Sequence, residues 1–475
     1  MPTAAPWEQR IAELERLFAA ALEKIRDLEE ENAELRARLG LNSRNSSKPP
    51  SSDDPGVERH KKKPTGLKRG GQPGHPHHGR KLFPPEMVDA VLELVPNACD
   101  HCGEALHGRD PEPFCRQIVD LPTIKPKITE LRHHAVGCDN CGKVTRGRTP
   151  RGFPAGAFGT GIMAIIAMLT TRLGVAKRPA QEFLSDVLGV DLCLGSVSNI
   201  EQVVSAATAE PVEEAREYLR TQPAVNIDET GWREEKVKAW LWAAGAALVA
   251  VFTIVRSRGG EVAKQILGED FAGITISDRW SGYAWLDETR RQLCWAHLKR
   301  DFRGMVERGG EGKRIGEALL AQHKKMFRWW HAVRDGKLDR ETFQLRMKAV
   351  ERRVGKLLFE GEVRAEKRTA GMCKAIRTLE PALWTFVRVE GVEPTNNAGE
   401  RDIRKAVVYR KNCFGTDSEK GSRYVERMLT VMTTLRKQKR HVFGYLRAAL
   451  DAQLRGESAP SLLPVSDAAP FAQAA

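Results

Sequence analysis

The centre of the chain contains short apolar segments that end in acidic residues, and this pattern limits the possible folds more than any other feature. Residues 224–228 and 273–278 are two such segments, and each ends in an aspartate. Residues 240–255 have room for two more buried strands, and residues 292–297 resemble a further one. Short apolar runs of this kind are typical of buried strands. The sequence therefore predicts a sheet with acids at two of its strand ends.

The longest apolar run, residues 239–255, lies at the lower limit of length for a membrane span. Gly245 interrupts the run and charged segments flank it, so two buried strands are the favoured interpretation. The N-terminus begins with charged helical sequence and lacks the pattern of a signal peptide. Nine cysteines, four of them in CxxC pairs, favour a reducing compartment with a metal site over a secreted disulfide framework. We therefore expect a cytoplasmic protein without a membrane segment.

Three acids occur where a two-metal site would need them. Asp228 and Asp278 end predicted strands, and Glu400 follows Asn396 and Asn397, which look like a helix cap. Carboxylates of this kind hold two cations about 3.5–4 Å apart in phosphodiester chemistry, and Mg²⁺ prefers such oxygen ligands. Asp228, Asp278 and Glu400 are thus the candidate catalytic and magnesium-binding residues. Spacing alone leaves three rivals open: Glu229, Asp287 and Asp402.

The positive charge of the chain is concentrated in two regions. The formal net charge is +14, of which residues 42–81 contribute +7 and residues 401–440 contribute +8. Because the rest is close to neutral, two local basic surfaces predict a polyanionic partner, with nucleic acid as the first candidate. The candidate DNA-binding residues are Lys61, Lys62, Lys63, Arg401, Arg404, Lys405, Arg410 and Lys411.

The N-terminal segment has a heptad pattern. Its apolar positions are interrupted by Asn32, which occupies an a position, where a polar residue can fix the register of a dimer. A coiled coil that joins two copies is the favoured interpretation, and a single amphipathic helix packed on the body is the alternative. Residues 42–85 are too polar to fold alone and predict a solvated linker, a basic arm on DNA phosphates, or both. The heptad positions are Ile11, Leu14, Phe18, Ala21, Ile25, Leu28, Asn32, Leu35 and Leu39.

Two CxxC pairs follow the linker. Zn²⁺ is held by four thiolate or imidazole ligands in a tetrahedron, and each pair would supply two of them. Cys99, Cys102, Cys138 and Cys141 are therefore the candidate ligands of a structural Zn²⁺, and we expect Cys115 to be packed in the interior. Histidines that would replace a cysteine ligand are His101, His107, His133 and His134.

Residues 160–220 are helical in pattern. A turn that contains Gly189 separates two of the predicted helices, and Ser196, Ser198 and Asn199 lie near the start of the second. This arrangement is typical of a helix-turn-helix, in which the second helix enters the major groove of DNA. An ordinary helical bundle fits the pattern equally well.

Several motifs in matching order closely resemble the insertion sequence 66 transposases, and the resemblance runs from the heptad segment to about residue 450. Besides the paired CxxC, the stretches that carry it are residues 42–53, 70–75, 226–232, 277–283, 294–302 and 394–400.

The resemblance implies a bacterial DDE transposase with a ribonuclease H-like catalytic core. Asp228, Asp278 and Glu400 match the family's catalytic residues, and the long gap before Glu400 looks like a helical insertion. Cys294 and His297 match a CxxH element seen in related transposases. We interpret this element as structural or as a neighbour of the active site, because two further ligands for a second zinc are not evident.

The function implied is DNA transposition. The protein would bind the terminal inverted repeats of its own element and, with Mg²⁺ (or Mn²⁺), catalyse strand cleavage and transfer to target DNA. It would act as a homo-oligomer joined through the coiled coil, in association with the nucleoid and with accessory proteins of the same element. The alternatives are a zinc-containing DNA-binding regulator without catalysis, a structural coiled-coil adaptor and an inactive transposase relic.

The predicted organisation is multidomain and of mixed α+β and α/β class. In chain order it comprises a coiled coil (1–41), a basic flexible linker (42–85), a zinc-binding module (86–150), a helical region resembling a helix-turn-helix (151–220), the first part of the ribonuclease H-like core (221–302), a helical insertion (303–390), the second part of the core with the glutamate helix (391–450) and a disordered tail (451–475).

Overall fold

The computed structural model describes residues 81–464, together with residues 13–14, 16–18, 22–28 and 46. The described heptad residues lie in helical backbone, and Leu14, Phe18, Ile25 and Leu28 are exposed. Lys61, Lys62 and Lys63 lie outside the described residues. The other heptad positions, Ile11, Ala21, Asn32, Leu35 and Leu39, lie outside them as well.

The described chain mixes helices and strands, as the sequence predicts, and it divides into two units: residues 58–128 with 187–189, and the remainder. The strands are β1 (Ala135–Gly137), β2 (Val144–Arg146), β3 (Ala224–Glu234), β4 (Val237–Gly245), β5 (Ala250–Val255), β6 (Ile274–Ser277) and β7 (Arg291–Leu293). The helices are α1 (Thr160–Ala167), α2 (Lys177–Leu188), α3 (Leu194–Ala207), α4 (Ala209–Arg220), α5 (Gly260–Leu267), α6 (Trp295–Glu307), α7 (Gly310–Arg334), α8 (Arg340–Arg364), α9 (Lys367–Thr378), α10 (Thr385–Arg388), α11 (Asn397–Cys413), α12 (Glu419–Lys437) and α13 (Val442–Arg455).

The larger sheet has the strand order β5-β4-β3-β6-β7. β4 runs antiparallel to both β3 and β5, whereas β3, β6 and β7 run parallel to one another. The apolar run 239–255 forms most of β4 and all of β5, so the prediction of two buried strands is confirmed. In the described part of the chain, every helix is too short or too polar to cross a membrane.

Two predicted strand boundaries are wrong. β3 does not end at Asp228 but continues to Glu234, because its hairpin with β4 extends to the Glu234–Val237 pair. The parallel partner β6 reaches only as far as Asn226, so Asp228 still projects beyond the parallel part of the sheet. β7 ends at Leu293, and the residues up to His297 begin α6 instead of continuing a strand.

The helices between β7 and α11 have an apolar core. Residues 303–390 form the C-terminal end of α6, all of α7 to α10 and a short 3₁₀ turn. Trp295, Phe302, Phe343 and Trp384 are buried in one cluster that reaches Leu293 of β7. This continuous core joins the helical section to the sheet.

α2 and α3 are successive helices, in agreement with the helical pattern of residues 160–220. Ser198 of α3 accepts a hydrogen bond from Lys177 Nζ at 2.8 Å, and Asn199 is exposed. The helix-turn-helix role of this pair stays a prediction.

The chain beyond residue 450 is ordered as far as the structure describes it, so the predicted tail begins too early. α13 continues to Arg455, and Leu462 is fully buried. Tyr445 donates a hydrogen bond to the carbonyl of Pro460 at 2.7 Å, and Gln438 donates one to the carbonyl of Leu462 at 2.7 Å. These contacts fix the segment against α12 and α13.

Side chains of α12 satisfy the open edge of the sheet. An edge strand presents unpaired backbone N–H groups, which are costly when they are buried. The N–H of Phe252 donates to Thr430 Oγ1 at 3.0 Å, and the N–H of Ala250 donates to Thr434 Oγ1 at 3.1 Å. Glu426, one turn earlier, accepts from the N–H of Ile254. Glu426, Thr430 and Thr434 are four residues apart on α12, and they bond to every second residue of β5.

Replacing Thr430 with valine tests this edge contact. Thr430→Val keeps the side-chain shape but leaves the buried N–H of Phe252 without its acceptor. We expect the free energy of unfolding to fall by about 1–3 kcal/mol, measured by urea denaturation. Thr433→Val, on the same helix but outside this row of acceptors, is the control. Equal midpoints for Thr430→Val and the wild type would contradict the assignment.

Candidate active site

The three predicted acids come together at one end of the sheet. Asp228 lies on β3, Asp278 directly follows β6, and Glu400 lies in the first turn of α11. Burial, together with the negative charges of Glu229, Asp278 and Glu400, raises the pKa of the Asp228 carboxyl to about 8. Asp228 is therefore largely protonated at neutral pH unless a cation offsets the neighbouring charges.

A buried arginine holds the backbone at Asp278. Arg291 Nη2 donates to the carbonyl of Asp278 at 2.7 Å, and its Nε donates to Ser277 Oγ at 3.2 Å. Burial lowers the pKa of Arg291 to about 10, so its guanidinium stays charged at neutral pH. Asp278 Oδ1 accepts the N–H of Trp280 at 2.9 Å, which orients the carboxylate. Sequence reasoning overlooked Arg291; a charged residue at the start of an apolar strand was the available signal.

Asn396 ties the glutamate helix to the rest of the site. It occupies the N-cap position of α11, as predicted, but its side chain makes no capping bond. Its Nδ2 donates to the carbonyl of Ile227 at 2.9 Å, and its Oδ1 accepts from Asn226 Nδ2 at 2.8 Å. Its backbone N–H donates to Cys294 Sγ at 3.1 Å, and its carbonyl accepts from the N–H of Glu400 at 3.0 Å.

The CxxH element lies beside Glu400. Cys294 is buried at the N-cap of α6, and His297 lies one turn further along that helix. The nearest ligand atoms of Cys294, His297 and Glu400 all lie within 4.8 Å of one another. His297 Nδ1 is 3.8 Å from Glu400 Oε1. Burial raises the pKa of the Cys294 thiol and lowers that of the His297 imidazole.

The first rival acid, Glu229, is neutralised within the protein. Its carboxylate accepts two bonds from Arg258, at 2.7 and 2.9 Å, and one from the Tyr283 hydroxyl at 2.9 Å. The guanidinium of Arg258 lies 4.7 Å from the ring centroids of both Trp240 and Trp280. Glu229 thus belongs to an aromatic and ionic cluster behind Asp228.

The other two rivals also have partners. Asp287 is exposed and caps a 3₁₀ turn by accepting from the N–H of Thr289 at 2.8 Å. Asp402 is buried and forms an ion pair with Lys437 at 2.8 Å. By contrast, Asp228, Asp278 and Glu400 accept no lysine or arginine ion pair anywhere in the described residues. Three clustered carboxylates without a lysine or arginine partner are what a cation site requires.

Most of the predicted basic residues of α11 are exposed. Arg401, Arg404, Lys405 and Lys411 are all open to solvent. Arg401 and Lys405, with Arg436 of α12, line a cleft of about 170 Å³ together with Asp402 and Thr433.

Arg410 differs from the other predicted basic residues. Its Nη1 donates to Thr230 Oγ1 at 3.2 Å and to the carbonyl of Gly231. Its charge therefore secures α11 against β3 and is not freely available to a phosphate.

Each CxxC pair forms the same small hairpin in its own part of the chain. The N–H of Cys99 donates to the carbonyl of Glu104 at 2.9 Å, and the N–H of Cys138 donates to that of Lys143 at 2.9 Å. In both, the glycine after the second cysteine returns a bond to the carbonyl of the first cysteine. Gly103 and Gly142 adopt positive φ values of 78° and 68°, which favour glycine.

In each hairpin, backbone N–H groups point at the sulfur of the first cysteine, Cys99 or Cys138. Bonds from His101 and Cys102 lower the pKa of the Cys99 thiol, and bonds from Cys141 and Asn140 lower that of Cys138. Such bonds favour the thiolate, which is the form that binds metal.

Two expectations near the cysteine pairs need a different interpretation. Cys115 is exposed, so the prediction that it packs in the interior is wrong: it lies in a segment without helix or strand whose side chains face solvent. His133 is one of the histidines that would replace a cysteine ligand. Its Nδ1 forms a hydrogen bond with the carbonyl of Gly147 at 2.9 Å, so this nitrogen is not available to a metal ion while the bond lasts.

Comparison with known proteins gives three matches. A family of unknown function (DUF6444) matches residues 3–81. The uncharacterized protein y4qI of Sinorhizobium fredii is 28% identical over 222 residues, which cover 42% of this chain and 40% of that relative. The match thus spans less than half of the relative's length. The model of the Transposase IS66 family matches residues 155–424, which include all three acids and the CxxH element. The chain therefore belongs to the Transposase IS66 family.

Proposed function

We propose that this chain is a DDE transposase in which Asp228, Asp278 and Glu400 bind catalytic Mg²⁺ or Mn²⁺. The observation that carries the proposal is the meeting of three carboxylates that have no lysine or arginine partner in the described residues, where burial and the neighbouring negative charges raise the pKa of Asp228 to about 8. A mixed sheet that presents two of the acids and a following helix that presents the third support a ribonuclease H-like core.

The donor set fits the metal. All three groups offer hard oxygen ligands, which Mg²⁺ and Mn²⁺ prefer. When bound, such ions activate an oxygen nucleophile and stabilise the leaving oxygen of a phosphodiester. Arg291 and Asn396 keep the backbones of Asp278 and Glu400 in place, and Arg258 neutralises Glu229 so that it does not compete.

The basic face of α11 supports a DNA path beside the acids. Arg401, Arg404 and Lys405 are exposed on the helix that carries Glu400. Phosphate contacts of this kind position the strand without reading its sequence, and their strength falls with salt.

In our proposal the substrate is the inverted repeats at the ends of the protein's own element. The protein cleaves there and transfers the strand to target DNA. Because two ends must be joined, we propose that copies associate through the heptad segment and act with accessory proteins of the same element.

Asp228→Asn tests the catalytic assignment. The substitution keeps the size of the side chain but removes the charge that would hold Mg²⁺. We expect cleavage of DNA that contains the element ends to fall by about a thousandfold or more, with DNA binding retained in a mobility-shift assay. Asp287→Asn, which alters an exposed turn, should cleave like the wild type. Normal cleavage by Asp228→Asn would refute the assignment, whereas a DNA-binding regulator would show no cleavage in either protein.

The raised pKa of Asp228 predicts that metal binding depends on pH. The cation binds the ionised carboxyl, so below pH 8 binding must release a proton, and affinity should rise about tenfold per pH unit towards 8 and then level off. Calorimetric titration with Mn²⁺ between pH 6.5 and 8.5, in buffers of different ionisation enthalpy, measures both effects. Asp228→Asn should remove most of the pH dependence. An affinity that is independent of pH in the wild type would contradict the prediction.

We also propose that Cys99, Cys102, Cys138 and Cys141 bind structural Zn²⁺, supported by the matching hairpins. Zinc content of the purified full chain after dialysis against metal-free buffer tests this. Cys138→Ser should lose zinc that the wild type retains and should melt at a lower temperature, because binding of structural zinc contributes to folding. Cys115→Ser is the matched control and should keep its zinc. Wild-type protein without zinc would exclude the site.

A further inference from the structure

We propose that Cys294, His297 and Glu400 form a second cation site, specific for Zn²⁺ or a similar borderline-soft ion, which competes with Mg²⁺ for Glu400. The existence of the site rests on the geometry of these three side chains alone. Its effect on activity rests on the proposed catalytic role of Glu400.

The three ligand atoms are nearly in place for a tetrahedral ion. Zinc bonds to sulfur, nitrogen and oxygen of about 2.0–2.3 Å put neighbouring ligand atoms about 3.3–3.8 Å apart. His297 Nδ1 and Glu400 Oε1 are 3.8 Å apart, and all three atoms lie within 4.8 Å of one another. Side-chain movements of about 1 Å complete the arrangement.

His297 supplies an independent indication of a ligand. Its Nδ1 is inaccessible to solvent and has no hydrogen-bond partner in the part of the chain that the structure describes. A buried polar atom without a partner costs about 1–3 kcal/mol, so native proteins rarely leave one. A cation between Nδ1 and the Glu400 carboxylate satisfies it.

The Cys294 sulfur is also prepared as a ligand. It is buried, and it accepts the backbone N–H of Asn396 at 3.1 Å. This bond holds the sulfur at the start of α6, beside His297 and Glu400.

The donor types separate this site from the neighbouring carboxylates. A thiolate and an imidazole favour Zn²⁺ and disfavour Mg²⁺, whereas Asp228 and Asp278 offer only oxygen. Three protein ligands leave a fourth position open to water or to a phosphate oxygen. Glu400 lies between the two sets, and two divalent cations held at one carboxylate repel each other. Zn²⁺ at the new site therefore weakens Mg²⁺ binding by the triad.

Zinc stoichiometry of the full chain tests the site without reference to activity. At one buffered free Zn²⁺ concentration, the wild type should bind one equivalent more than either Cys294→Ser or His297→Asn, as measured by elemental analysis after equilibrium dialysis. Cys373→Ser, which alters a buried thiol in α9, is the control and should match the wild type. Circular dichroism verifies folding, and the half-buried His297 gives a variant that tolerates change if Cys294→Ser fails to fold. Equal zinc content in the wild type and His297→Asn would overturn the proposal.

A cleavage assay tests the consequence. Zn²⁺ should inhibit Mg²⁺-dependent cleavage, and excess Mg²⁺ should relieve the inhibition. In Cys294→Ser the half-inhibitory Zn²⁺ concentration, relative to that variant's own rate in Mg²⁺ alone, should rise by at least about tenfold. Absence of any cleavage by the wild type would refute the proposed catalytic function but leave the stoichiometry to decide the site. Cleavage with the same zinc sensitivity in both proteins would refute the competition alone.

Discussion

The hydrogen bonds of Asn396 join parts of the chain that are far apart in sequence, and the candidate site depends on them. Asn396 bonds to Asn226 across 170 residues and at the same time holds Cys294 and the first turn of α11. Closing so long a segment costs conformational entropy, although the cost grows only slowly with length. The intervening helices offset it, because they fold around their own apolar core and that core is continuous with β7. The helical section thus connects β7 to α11, which carries Glu400.

Charge determines which acids at this site can act. Glu229 and Asp402 each have a basic partner, Arg258 and Lys437, so their negative charge is already offset. Asp228, Asp278 and Glu400 have no lysine or arginine partner in the described residues. Burial and the neighbouring negative charges raise the pKa of Asp228. A protein that kept these acids together only for stability would be expected to pair them, since unpaired buried charges cost more than they contribute. The cluster is therefore better explained by binding of a cation than by packing.

The sequence predicts much of this architecture but not the contacts that complete it. The apolar segments identify the strands, and the order of motifs identifies the three acids. The boundaries at Asp228 and His297 were wrong because the β4 hairpin extends one strand and α6 begins directly after another. The sequence marks Arg291 as a charged residue at the start of an apolar strand and Asn396 as a helix cap. It does not predict their hydrogen bonds, since each bonds to backbone in another part of the fold. The same holds for the threonines of α12, whose spacing has meaning only once β5 lies beside them.

The position of α11 determines how the two proposed cation sites would exchange Glu400. Asn396 holds the helix at its start, the ion pair of Asp402 with Lys437 holds its second turn, and Arg410 holds its far end against β3. A helix restrained at three places cannot move as a body without breaking all of these contacts. Exchange between the ions would therefore require rotation about the side-chain torsions of Glu400, which is half-exposed. It follows that the relative concentrations and affinities of the two ions, and not a domain movement, would set the balance between them.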